Sequence, residues 1–166
     1  ATAHLTLGAA YTVQGQADKA LVEIQAALDV EGGSVAGYLA LAGTYKGQGR
    51  LADALATYDQ AQRAGSGNTA IRIARGDVYL ALGQLGQALA EYRAAVALAP
   101  GQAAPHVALG RFYYATDQAA MATDAFEMAI DQQPADLSGY LWLGQIYRLD
   151  KQWEAALDIY RQAMLV

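Results

Sequence analysis

The chain of 166 residues contains no cysteine. That removes disulfides, thiolate nucleophiles and Cys-based metal sites together, but it does not assign a compartment, because a cysteine-free chain survives in any redox environment. Basic residues are also scarce. Eleven Lys and Arg face sixteen Asp and Glu, for a net charge of −5, and they are scattered singly. A nucleic-acid binder shows a basic patch or stripe, so nucleic acid is not an expected partner. No apolar run approaches the roughly 18 residues that span a bilayer, so membrane insertion is not expected either. The N-terminus lacks a signal-peptide pattern, although a chain that starts at Ala1 can be a processed or excised piece. Phe and Trp are few, at two each. What is abundant is apolar residues, 54% of the chain, too many for a disordered tail. Alanine dominates them, and alanine-rich helices bury little area each, so they need close neighbours on both sides.

Tyrosine supplies the ordering principle. Tyr11, Tyr45, Tyr79, Tyr113 and Tyr147 recur every 34 residues, and a fixed period of this size is the mark of a repeat architecture. Small residues keep the same step at Gly8, Ala42, Gly76, Gly110 and Gly144. So do Ala20, Ala54, Ala88, Ala122 and Ala156, then Ala27, Ala61, Ala95, Ala129 and Ala163. Between them fall Ile24, Tyr58, Tyr92, Phe126 and Tyr160. The fourth stretch reads His106, Leu109-Gly110, Tyr113, Ala122, Phe126, Ala129, Pro134, and the fifth reads Tyr140, Leu143-Gly144, Tyr147, Ala156, Tyr160, Ala163.

Over its whole length this pattern resembles the tetratricopeptide-repeat (TPR) family. The departures are mild: Arg75 stands for the usual Leu, His4 and His106 for an aromatic, and Gly32 and Ser66 for the closing Pro. The resemblance implies an all-α, right-handed superhelical solenoid of five helix–turn–helix units. They form a single array over 1–166, with repeats at 1–34, 35–68, 69–102, 103–136 and 137–166. Each unit also reads as two helices without the resemblance. Gly15, Gly49 and Gly83 break the apolar pattern where a helix C-terminus favours a left-handed residue, and Asp117 and Lys151 fill that slot in the last two units. Ser34, Asn68 and Asp136 are the expected N-caps, and Pro100 and Pro134 the expected helix stops. Gly8 and its equivalents should let the paired helices approach closely, the alanines should nest against the next unit, and the tyrosine should fill the wedge.

Family geometry places the first helix of each unit on a concave groove. The stripe at i, i+4, i+7 and i+11 is Thr2, Thr6, Ala9, Val13 in the first unit and Ala36, Ala40, Gly43, Gly47 in the second. The third unit has Ala70, Ala74, Asp77, Ala81 and the fourth Ala104, Ala108, Arg111, Ala115. Beside it run Leu5, Leu39, Ile73, Val107 and Leu141. Two readings stand: a smooth apolar seat for a helix or extended peptide, or small residues forced by crowding between neighbouring first helices. The carboxylate clamp of chaperone-binding members needs Lys, Asn, Asn, Lys and Arg. The matching positions are Leu5, Ala9, Ala40, Ala70, Ala74, or one unit on Leu39, Gly43, Ala74, Ala104, Ala108. None of these can hold a carboxylate, so a chaperone C-terminal tail is excluded.

The last two units add Arg111, Tyr114, Trp142, Gln145 and Arg148 to the groove, and Trp, Tyr and Arg are the types that anchor interfaces. Trp142 replaces the Thr or Ala of earlier units; it either meets a ligand, shields a terminal repeat, or packs on a helix further along a longer protein. Asp77 and Arg111 hold equivalent positions in successive units and are a candidate pair, with a structural role favoured. Arg72 and Arg75 fall on the packing side and must snorkel or find an acceptor. Gly65-Ser66-Gly67-Asn68-Thr69-Ala70 resembles a phosphate loop but lacks the preceding strand, and Arg75-Gly76-Asp77 lies mid-helix. His4 and His106 are three units apart and make no metal pair. With no carboxylate dyad, nucleophile–base pair or metal-ligand cluster, neither enzyme activity nor a cofactor is expected. The functional expectation is a scaffold binding an apolar or helical segment of a protein partner, through Leu39, Gly43, Ile73, Asp77, Val107, Arg111, Tyr114, Leu141, Trp142, Gln145 and Arg148. The alternative is a homo-oligomer or filament stacked head to tail through uncapped terminal repeats, with the apolar end Met164-Leu165-Val166 as one contact.

Overall fold

A left-handed residue stands at the turn inside each 34-residue repeat. In the computed structural model, which describes residues 1–65 and 67–166, Gly15, Gly49 and Gly83 have φ of 73°, 74° and 71°. Asp117 and Lys151 occupy the same slot at 60° and 62°, so the turn geometry outlasts the glycine that favours it. Ser66 lies outside the described residues, and with it part of the phosphate-loop-like stretch.

The helices are α1 (Thr2–Val13), α2 (Ala17–Glu31), α3 (Val35–Gly47), α4 (Leu51–Ala64), α5 (Thr69–Ala81), α6 (Leu85–Leu98), α7 (Ala103–Ala115), α8 (Ala119–Gln132), α9 (Ser138–Leu149) and α10 (Trp153–Ala163). Among the described residues there is no strand. The N-caps behave as their residue types require. Ser34 Oγ accepts from the Gly37 N–H at 3.1 Å, and Asn68 Oδ1 accepts from the Ala70 N–H at 2.9 Å. Asp136 Oδ1 accepts from the Ser138 N–H at 2.9 Å, but α9 begins one residue later in its repeat than α3 or α5. Asp136 therefore stands just ahead of the cap rather than at it. Pro100 and Pro134 follow the ends of α6 and α8 by two residues, where a ring lacking an N–H stops the ladder.

The chain forms two compact units, Ala1–Gln84 with α1 to α5 and Leu85–Val166 with α6 to α10. The division falls in the turn between α5 and α6, inside the third 34-residue stretch. In the first unit, Ala20, Ile24, Leu28 and Leu41 form one buried cluster, flanked by Leu5, Tyr11, Leu21, Tyr38 and Tyr45. Ala42, Ala54, Tyr58, Ala61, Ile71 and Val78 form the next. Tyr38 and Tyr45 border both clusters. Within this unit each cluster joins side chains of one helix pair to those of the next helix, as expected where repeats complete their cores by stacking.

Arg75, at a position usually held by Leu, finds its acceptor across the α4–α5 contact. Its Nη2 lies 3.4 Å from Asp59 Oδ1, with the side chain 17% exposed. In the second unit, Phe112, Phe126, Tyr140, Leu143 and Ile146 are buried. Tyr92 and Phe112 meet at 5.7 Å, and Arg93 donates to the Tyr113 hydroxyl at 3.4 Å.

One packing position escapes the motif. The third residue of a repeat is buried as Gly37, Ile71, Pro105 and Gly139. A Cβ on Gly37 would come within 2.5 Å of Leu28, and one on Gly139 within 2.9 Å of the Phe126 carbonyl oxygen.

Candidate protein-binding face

The positions expected to line a groove fall in both units. In the first, Lys46 of α3 donates to Asp77 Oδ2 of α5 at 3.3 Å. Lys46, 31 residues back, is a partner of Asp77 that the repeat register did not offer. Beside the pair, Leu39 packs against the buried cluster, and Ile73 is half-buried. Gly43 and Gly47 of the small stripe stand in open space: a Cβ on either would meet nothing within 4 Å. Crowding within the chain does not explain these two glycines.

Burial raises the Tyr58 phenol above its usual 10.0, and the negative charge of Asp77 adds to the effect.

In the second unit, α7, α8 and α9 assemble an aromatic surface. Trp142 of α9 lies flat on Phe126 of α8, with centroids 5.7 Å apart and planes 5° from parallel. Tyr114 of α7 tilts against the same indole at 6.1 Å, and the Arg111 guanidinium approaches the ring at 5.9 Å. Phe126 is fully buried while Trp142 is half-buried, so the indole is anchored on its inner side. Stacked rings and an overlying cation fix its orientation. Arg148, further along α9, donates Nε and Nη2 to Gln145 Oε1 at 3.2 and 2.9 Å.

Leu141 is 55% exposed and Tyr114 37%, giving the surface an apolar rim. Val107, by contrast, is buried. Arg111, Tyr114 and Trp142 thus come together as one contact group, with Gln145 and Arg148 coupled along the same helix. The role of Phe126 in seating Trp142 was not legible in the sequence. Both residues were visible as repeat positions, but nothing in the spacing aligns one ring over the other.

Among the described residues, no three His, Asp or Glu side chains gather as metal ligands, and no helix is long and apolar enough to cross a membrane.

The chain matches two sequence-family models, described as TPR repeat over residues 76–117 and tetratricopeptide repeat over 107–164. No curated protein sequence matches it. Among solved structures it is similar to TTC0263, a thermophilic TPR protein of Thermus thermophilus, with TM-score 0.80 and 21% identity over 98% of this chain and 89% of that one. Pseudomonas aeruginosa pilF is similar with TM-score 0.77 and 20% identity, over 99% and 75% of the two chains. MamA from Desulfovibrio magneticus RS-1 gives TM-score 0.67 and 19% identity over 98% and 92%. At such identities the likeness concerns the fold. That fold is in general a non-catalytic scaffold for protein interaction. The 34-residue step, the ten helices among the described residues and these matches agree: the chain belongs to the tetratricopeptide-repeat family, with the all-α solenoid fold of its repeats.

Proposed function

We propose that this scaffold binds a peptide or helix of a partner protein on the α7–α9 face of the second unit, with Trp142 as its anchor. The observation that supports the reading is an indole held by Phe126, Tyr114 and Arg111 yet half open to solvent. A ring fixed before binding loses little freedom on contact, and Trp, Tyr and Arg dominate the energetics of interfaces. Each large apolar side chain that a ligand buries there contributes about 1.5–3 kcal/mol. Leu39, Gly43 and Ile73 of the first unit offer a smoother surface, suited to close approach of a ligand backbone.

Tyr114→Ala and Arg148→Ala test this reading, because both side chains are exposed and carry little of the core. Partner capture from the native source should weaken by about 2 kcal/mol for Tyr114→Ala, with thermal melts unchanged. Undiminished capture by both variants removes the proposal. Trp142→Ala is a less clean probe, since it also strips the ring from Phe126.

Self-association is a separate proposal. The surface for it is Trp153 and Leu157 of α10 with Met164 beyond them, all exposed. It predicts that particle mass grows with concentration in light scattering; a constant single-chain mass dismisses it.

A further inference from the structure

We infer that the α7–α9 face takes a segment in which side-chain carboxylates flank an apolar anchor. This rests on the binding reading above and deepens it. What carries it is a difference in charge balance between two surfaces built from the same repeat positions. In the first unit, the twelfth position of one repeat and the ninth of the next hold Lys46 and Asp77, which pair at 3.3 Å and cancel. In the second unit the equivalent couple is Tyr114 and Gln145, with no formal charge. Arg111 and Arg148 occupy the ninth and twelfth positions on either side of that couple.

Neither arginine has an acidic partner within its own unit. Among the described residues of the second unit, no Asp or Glu lies within 4.0 Å of Arg111 or Arg148. The chain has sixteen acidic residues and a net charge of −5, so acceptors are plentiful elsewhere. Arg111 instead approaches the Trp142 ring, and Arg148 spends two donors on the neutral oxygen of Gln145. A glutamine orients a guanidinium without neutralising it, and a guanidinium has five N–H donors, so others remain for an incoming oxygen. Both arginines are exposed at the edges of the aromatic group. A ligand that seats an aliphatic or aromatic side chain against Trp142, Tyr114 and Leu141 therefore brings its neighbouring residues to two positive charges. Carboxylates satisfy them through charge-assisted hydrogen bonds, whereas lysine or arginine there is repelled. Such edge charges discriminate between ligands more than they add affinity.

The test is selection of the full chain against a random peptide library fused through its C-termini, so that only side-chain carboxylates are presented. The wild-type chain should enrich peptides that pair Leu, Ile, Phe or Trp with Asp or Glu. An enriched peptide should then bind the Arg111→Gln/Arg148→Gln variant more weakly, by up to roughly fivefold for each arginine. The peptide's Asn/Gln counterpart should bind wild type and variant alike. Thermal melts of the variant should match wild type, since both side chains are exposed. Enrichment of apolar peptides with no acidic preference overturns the inference and leaves the binding face standing. An acidic preference that survives in the double variant also overturns it, because the charge is then read elsewhere. No enrichment removes the binding face and this inference together.

Discussion

Gly110 has no room for a methyl group: a Cβ there would lie 2.6–2.9 Å from three atoms of the Phe126 ring, which is itself fully buried. Gly110→Ala should therefore cost about 1–3 kcal/mol through overpacking, read from denaturant unfolding. Gly43→Ala is the matched opposite. Its Cβ would meet nothing within 4 Å, and alanine in a helix interior gains about 0.5–1 kcal/mol over glycine. Equal effects at the two sites would contradict the packing described here. Lys151 adopts φ of 62° with an ordinary side chain, a conformation costing about 1–2 kcal/mol. Part of that is returned by the greater freedom of glycine in the unfolded chain, so Lys151→Gly should stabilise by about 0.5–1 kcal/mol. Asp117 tolerates the left-handed region better and should gain less. The glycine-like slot was readable at all five turns because its chemistry is local; the burial of Gly37 and Gly139 was not, because Ile71 and Pro105 at the same repeat position disguise it.

At the scale of elements, α4 carries a titration that reports on its packing. The Tyr58 phenol is 3% exposed and is raised above 10.0 by burial and then by Asp77. Below pH 10 the phenol is neutral in folded and unfolded chains alike. Above it, the unfolded chain loses the proton first and stability falls as pH rises. Unfolding followed from about pH 8 upward should show this decline, and Tyr58→Phe should remove Tyr58's share of it. A slope identical in the two proteins would mean that Tyr58 ionises freely in the fold. The α7–α9 face was half legible. Repeat register identified Arg111, Tyr114 and Trp142 as neighbours on adjoining first helices. It could not show that Phe126, on a second helix, forms the floor beneath the indole. The pairing of Asp77 with Lys46 was missed for a related reason: equal repeat positions were compared, whereas the contact joins the twelfth position to the ninth of the next repeat.

For the whole molecule, the 34-residue step is what the sequence states most clearly, and the helix count and turn positions follow from it. The division into two units after Gln84 is not visible there, because the periodic residues run through it without interruption. Since stability in such folds is close to a sum of repeats and nearest-neighbour contacts, removal of residues 35–68 should leave a folded, helical protein. Removal of 35–50 alone, which takes α3 and leaves α4 without its partner, should cost far more. Circular dichroism and urea unfolding of the two deletions compare them, and equal damage would argue against repeat-wise packing. The most direct test of the functional account is nuclear magnetic resonance of the chain titrated with a library-selected peptide, following the Trp142 indole N–H and the backbone amides. The account predicts shifts concentrated at Arg111, Tyr114, Trp142, Gln145 and Arg148; shifts centred instead on the cleft lined by Leu21, Val22, Gln25, Leu41 and Tyr45, with the Trp142 signal unmoved, would contradict it.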